Sequence, residues 1–260
     1  MSYPVRLTHI GGPTTLLEIG SLRILTDPTF DPAPGSYVVG PQILDKVAGP
    51  ALTIADVGRI DVVVLSHDEH ADNLDAQGRA LLRRVPQVFT TVSGAGRLGG
   101  HVRGLAPWQS AVVTGSEGEH VRITATPGRH GPPGSEPLVG DVIGFLIAPE
   151  GPEQRAIYVS GDTVFYDDVA AIGTRAAVGL AILHLGNVRG PGDAQLTLDA
   201  HDAVQLAHTL GDPPVVPVHS EGWAHFSETP AAARAAFAAD GFDAHVHWLE
   251  PGIARTFAVG

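Results

Sequence analysis

The chain has 260 residues and no cysteine. That excludes thiolate metal ligands, a cysteine nucleophile and disulfide staples, and leaves the redox compartment unreadable from thiols. It has one lysine, Lys46, and the remaining basic residues are scattered arginines. With 16 basic against 28 acidic residues the formal net charge is −12. Nucleic-acid binding needs a clustered basic patch, and there is none. An acidic surface also disfavours anionic membranes. No apolar run approaches the roughly 20 residues of a membrane span. Residues 1–6 lack a basic stretch leading into an apolar one, so no signal peptide is expected. These absences predict a soluble cytoplasmic protein acting on a small-molecule substrate, with no nucleic-acid or membrane partner. The oligomeric state is left open.

A chain this long buries roughly 70–75% of its unfolded surface and needs no covalent staples. No composition shift marks a linker and no short repeat is present, so residues 1–260 are expected to form a single domain. Short apolar or alternating runs at 6–10, 14–19 and 22–26, separated by glycine-bearing turns, predict strands. Residues 27–50 predict a long loop, a common place for function in a compact domain. Strands are predicted at 60–65, 88–91, 121–125, 142–147, 156–159, 177–184, 215–218, 244–249 and 253–259. Helices are predicted at 74–84, capped by Asp72 or Asn73, and at 93–98, 198–210 and 230–239. Strand-rich halves followed by helices suggest two sheets packed face to face with helices outside.

What the chain has in quantity is histidine, 13 in all. Four of them, with the carboxylate of Asp162, lie in polar segments that follow predicted strands or strand-like runs: Ser66-His67-Asp68-Glu69-His70-Ala71-Asp72-Asn73, Thr126-Pro127-Gly128-Arg129-His130, Ser160-Gly161-Asp162-Thr163 and Pro217-Val218-His219. A rigid strand aims the first residues of the loop after it. Zinc takes three or four nitrogen or oxygen ligands, a number that four such loops meeting at one sheet edge can supply.

In this order the segments resemble the metallo-β-lactamase superfamily, specifically the branch with ascorbate-phosphate lactonases and phospholipase-D-like hydrolases of N-acyl ethanolamine phospholipids. Ile10-Gly11-Gly12 and Leu25-Thr26-Asp27-Pro28 match that branch's opening strand pair. Residues 66–75 match its Ser-His-x-His-x-Asp-His-Leu-Asp. Thr126-Pro127 with His130, Gly161-Asp162-Thr163 and Pro217 with His219 match the rest. The resemblance implies a four-layer αβ/βα sandwich, the metallo-β-lactamase fold, of the α/β class. It also implies metal ligands at His67, His70, Asp72, His130, Asp162 and His219, with Asp162 bridging two ions. The cofactor expected is Zn²⁺, one ion or two, with Mn²⁺ or Fe²⁺ as alternatives.

Two departures bear on that ligand set. His67 and His70 are three apart where the family has two, so His67 or Asp68 fills the first slot. Asn73 stands where the family has histidine, as a weak ligand or a hydrogen-bond donor. Asp27 is expected behind the site as an acceptor for a ligand histidine. Asp72, His225 and His184 are the expected catalytic groups, Asp72 for the nucleophile and either histidine for the leaving group. His9, His101, His120, His201, His208, His245 and His247 are assigned to surface or packing. The implied activity is that of a metal-dependent hydrolase using a metal-bound hydroxide on a small ester, lactone or amide. The alternatives are a phosphodiesterase with Arg129 near the metals, or a degenerate or redox metal-binding member of the fold.

Overall fold

The computed structural model describes residues 2–39, 42–151 and 154–260. The first sheet contains β1 (Tyr3–Gly11), β2 (Thr14–Ile19) and β3 (Leu22–Thr26). The chain then forms a separate hairpin, β4 (Gly35–Val39) with β5 (Gln42–Lys46), and a short helix α1 (Ile54–Val57). It returns to the first sheet through β6 (Val62–Val64), α2 (Ala76–Leu82), β7 (Gln87–Thr90), α3 (Val92–Leu98) and β8 (Val102–Gly104). The second sheet is built from β9 (Ser110–Thr114), β10 (His120–Pro127), the short helix α4 (Glu136–Val139), β11 (Ile143–Pro149) and β12 (Ala156–Val159). After α5 (Asp167–Ala170) and α6 (Ile172–Arg175) come β13 (Val178–His184), α7 (Ala200–Thr209), β14 (Val215–Val218) and α8 (Pro230–Ala239). The closing strand β15 (Ala254–Val259) rejoins the first sheet.

The strand orders are β15-β1-β2-β3-β6-β7-β8 and β14-β13-β12-β11-β10-β9. Alternate strand residues point to opposite faces of a sheet, and this sets the layers. Val62 and Val64 of β6 join Leu180 and Ile182 of β13 in the core between the sheets. Val63, on the other face of β6, packs with Leu81 and Leu82 of α2. Ala181 and Leu183 of β13 pack with Leu206 of α7 and Phe237 of α8. The result is the expected αβ/βα sandwich. Among the described residues no helix is long and apolar enough to cross a membrane.

Strand direction gathers the loops. β3 and β6 run parallel, as do β12, β13 and β14. β10 and β12 are both antiparallel to β11, so β10 points the same way as β12. The C-terminal ends of β10, β12, β13 and β14 therefore lie along one edge of the second sheet. Backbone bonds from Ile143 N to Ser66 O (3.2 Å) and from His219 N to Gly12 O (2.9 Å) tie this edge to the first sheet.

The structure adds β8, β9 and the short helices α1, α4, α5 and α6 to the elements read from the sequence, and it differs from three specific expectations. The long loop at 27–50 contains the β4–β5 hairpin; Gly40 and Pro41 lie outside the described residues. Helix α2 is capped by Asp75, whose carboxylate accepts from Gly78 N, not by Asp72 or Asn73. Residues 244–249 form no strand: a 3-10 turn covers Asp243–His245, and only Val246 bridges, to Val215.

Candidate metal centre

Three imidazoles converge at the sheet edge. His67 arrives from the end of β6, His70 from the turn after it, and His130 from the loop after β10. His70 Nδ1 lies 3.1 Å from His67 Nε2 and 3.2 Å from His130 Nε2. His130 Nδ1 faces the Leu196 carbonyl at 2.8 Å. That nitrogen must donate, so Nε2 presents its lone pair to the group. Burial pushes His130 down to about 3, helped by the neighbouring charge of His70. Burial likewise lowers His67 and His70. Metal ligation requires neutral imidazoles, and a cation between the three nitrogens would engage all of their lone pairs at once.

Beside them, Asp72, Asp162 and His219 form a second group. Each group offers one ligand atom per residue, all within 4.8 Å of one another. Asp72 Oδ2 meets His219 Nε2 at 3.2 Å and His225 Nε2 at 2.9 Å. Burial opposes its charge, but the neighbouring His219 and His225 hold Asp72 well below the usual carboxylate range. Asp162 has weaker compensation. Burial, with repulsion from Asp72 and Asp27, outweighs His184 and raises it to about 8.

The local backbone is shaped for this convergence. Gly161 has φ +62°, and a Cβ there would stand 2.8 Å from both the Ser66 Cβ and the Ile143 carbonyl. His219 holds φ 56° and Asp27 φ 31°. Such backbone is costly for non-glycine residues and persists where surrounding contacts over-determine it.

The donor set fits divalent metal. Asp72 Oδ1, Asp162 Oδ1, both His219 nitrogens and both Asn73 side-chain atoms are buried without a hydrogen-bond partner. Buried polar atoms are normally satisfied, and so many orphans around one point mark a place for a cation.

The structure separates the residues that the sequence left ambiguous. His67 stands in the three-imidazole group. Asp68 does not, because its carboxylate pairs with Arg97 at 2.6 Å. Asn73 is fully buried beside the second group. Asp27 accepts from Ser66 N at 2.6 Å and faces His184 Nε2 at 3.4 Å, so it braces the loop and not a ligand histidine. His184 is 0% exposed and does not line the cavity above the centre, which corrects its expected catalytic place. His225 does line it. Arg129 stacks over Tyr166 at 4.1 Å and bonds the Gly131 carbonyl, away from the cavity. Of the histidines assigned to surface or packing, His9 is buried and bonds the Gly12 carbonyl.

A cavity of about 130 Å³ opens over the centre. His70, Asp72, His130, Asp162 and His225 form its polar part, and Val39, Leu44, Leu138, Val139, Val188, Pro191 and Leu196 its apolar walls. Among the described residues no lysine or arginine lines it. The sequence reading missed these walls. They come from the hairpin, α4 and the loop after β13, which share no motif.

A model of the beta-lactamase superfamily domain matches residues 22–220. The chain belongs to the metallo-β-lactamase superfamily. This superfamily chain is 29% identical over 259 residues to a metal-dependent hydrolase of Pelotomaculum thermopropionicum, covering 95% of this chain and 98% of that one. It is 31% identical over 240 residues to an uncharacterised protein of Mycobacterium tuberculosis, covering 86% of this chain and 60% of that relative's length. Among solved structures, an isothiocyanate hydrolase from Delia radicum gut bacteria has the same fold, with a TM-score of 0.81 at 20% identity over 97% of this chain and 99% of that one.

Proposed function

We propose that this metal-dependent hydrolase cleaves a small, uncharged ester, lactone or amide that carries an apolar group. The observation that supports this is the cavity: apolar walls around a histidine and aspartate floor, with no cation among the described lining residues. Binding pockets of this kind take apolar ligands and fix them with a few polar groups. A phosphodiester brings a negative charge that normally meets arginine or lysine, and Arg129 stands elsewhere.

His67, His70 and His130 would hold one ion, and Asp72, Asp162 and His219 a second. Zinc is the proposed occupant of the first, since it takes imidazole nitrogens in tetrahedral shells. The oxygen-richer second set suits Zn²⁺, Mn²⁺ or Fe²⁺. When bound, a divalent ion supplies an acidified water and positive charge beside the scissile bond.

The chain's own groups do the rest. Asp72 is ionised and accepts the proton of the attacking water. His225, bonded to Asp72 Oδ2 at 2.9 Å and exposed to the cavity, passes a proton to the leaving oxygen or nitrogen. Leu138, Val139 and Leu196 seat the apolar group and keep bulk water out.

The test is turnover of an ester, lactone, amide and phosphodiester panel by zinc-loaded protein, before and after chelation. Carbonyl turnover should vanish with the metal and return with added Zn²⁺. Leu138→Asp should raise KM for substrates with longer apolar groups and leave shorter ones less affected. Turnover confined to the phosphodiester, or dependent on iron and dioxygen, would overturn the reading.

A further inference from the structure

The extra residue between His67 and His70 puts Asp68 and Glu69 into the first ligand-bearing loop. Asp68 is 4% exposed and belongs to neither ligand group. A buried carboxylate needs a partner, and Arg97 supplies one in fork geometry. Its Nε lies 3.0 and 3.2 Å from the two Asp68 oxygens, and its Nη2 2.6 Å from Oδ1. Arg97 also pairs with Glu69. Arg79 adds a bond from Nη2 to the Asp68 carbonyl at 3.0 Å. The two arginines come from α3 and α2, the helices that follow β7 and β6. On α3, a Cβ at Gly94 would stand 2.9 Å from Asp68 Oδ1, so glycine keeps the space in which the carboxylate lies.

We propose that Arg97 is a positioning residue of the metal centre, gripping Asp68 and so fixing the widened His67–His70 loop with both imidazoles turned to one point. The inference rests on the reading of those imidazoles as ligands. Metal–nitrogen bonds of about 2.0–2.1 Å in a tetrahedral shell require nitrogens roughly 3.3 Å apart. His67 Nε2 and His70 Nδ1 are already 3.1 Å apart. A longer loop has more conformations, and unpinned it would have to be ordered at the cost of binding energy. Residues that orient ligands typically govern metal affinity by about 10–100-fold.

The test uses the full chain as wild type, Arg97→Gln and Arg97→Lys. Zinc affinity is measured by competition with a chelating dye, and ligand geometry by the visible spectrum of the Co²⁺-loaded protein. Arg97→Gln should bind zinc about 10–100-fold more weakly and shift the Co²⁺ bands. Arg97→Lys should fall between, because lysine restores the charge without the planar fork. If Arg97→Gln does not fold, Asp68→Asn/Arg97→Gln removes the buried charge with its partner, and the same weakening and shift are expected. Wild-type affinity with an unchanged spectrum, in whichever of these variants folds, would overturn the proposal. A wild type that binds no metal would overturn the ligand reading itself, a distinct result because wild type is measured alone.

Discussion

His225 Nε2 and Asp72 Oδ2 stand 2.9 Å apart across 153 residues of chain. The same Asp72 oxygen faces His219 Nε2 at 3.2 Å. One carboxylate thus joins a buried histidine of the second ligand group to a histidine on the cavity wall. His225→Gln should lower kcat by about 10²–10³-fold, the range for a lost general acid or base. Metal content should stay at the wild-type level, because His225 is outside both ligand groups. Steady-state kinetics beside elemental analysis reads both. Loss of metal in this variant would reassign His225 from proton transfer to metal holding.

Asn73 is fully buried, with neither side-chain polar atom bonded. An imidazole there would add a strong nitrogen donor to a group that has one histidine and two carboxylates. Asn73→His should raise the affinity of the second ion, measured by titration calorimetry on chelator-stripped protein. Unchanged stoichiometry and affinity would show that position 73 does not face the ion.

Asp162→Ala removes a carboxylate that burial holds at a pKa of about 8 without metal. Its removal relieves an ill-compensated group, so the metal-free variant should melt at or slightly above the metal-free wild type. Added Zn²⁺ should raise only the wild type, because a ligand that binds the native state stabilises it by mass action. Activity should disappear. Equal metal-induced shifts in the two proteins would remove Asp162 from the ligand set.

Lys46 and Asp75 form a buried ion pair at 3.0 Å, with side chains 3% and 0% exposed. The pair ties the β4–β5 hairpin to the cap of α2. Lys46→Ala leaves the Asp75 charge without its cation and should destabilise the protein by about 3–5 kcal/mol, read by urea unfolding. A loss below about 1 kcal/mol, the level of an exposed pair, would show that the hairpin is anchored by other contacts. Candidates are the Lys46 bridge to Trp223 and the bonds from Val47 N and Ala48 N to the Gly222 carbonyl.

The sequence by itself determined most strands of the sandwich, though not the edge strands β8 and β9, and the loops that carry the ligand residues. Runs such as residues 60–65 and 177–184 are too apolar to lie anywhere but inside a sheet covered on both faces. The His/Asp segments are local to the strand ends that deliver them. The tertiary structure decided what depends on partners distant in the chain. Asp68 and His67 are neighbours of similar chemical promise, and only the arginine on α3 takes Asp68 away from the centre. His184 ends β13 and His225 follows β14, but burial between Asp27 and Ser160 removes the first from the cavity while the second reaches its wall. The β4–β5 hairpin escaped the sequence reading because its turn signals outweigh its short alternation, and its anchors, Asp75 and Gly222, lie far along the chain. Periodicity and spacing record what a segment does with its neighbours. Charge compensation, side-chain direction and cavity shape are settled only when segments far apart in sequence pack together.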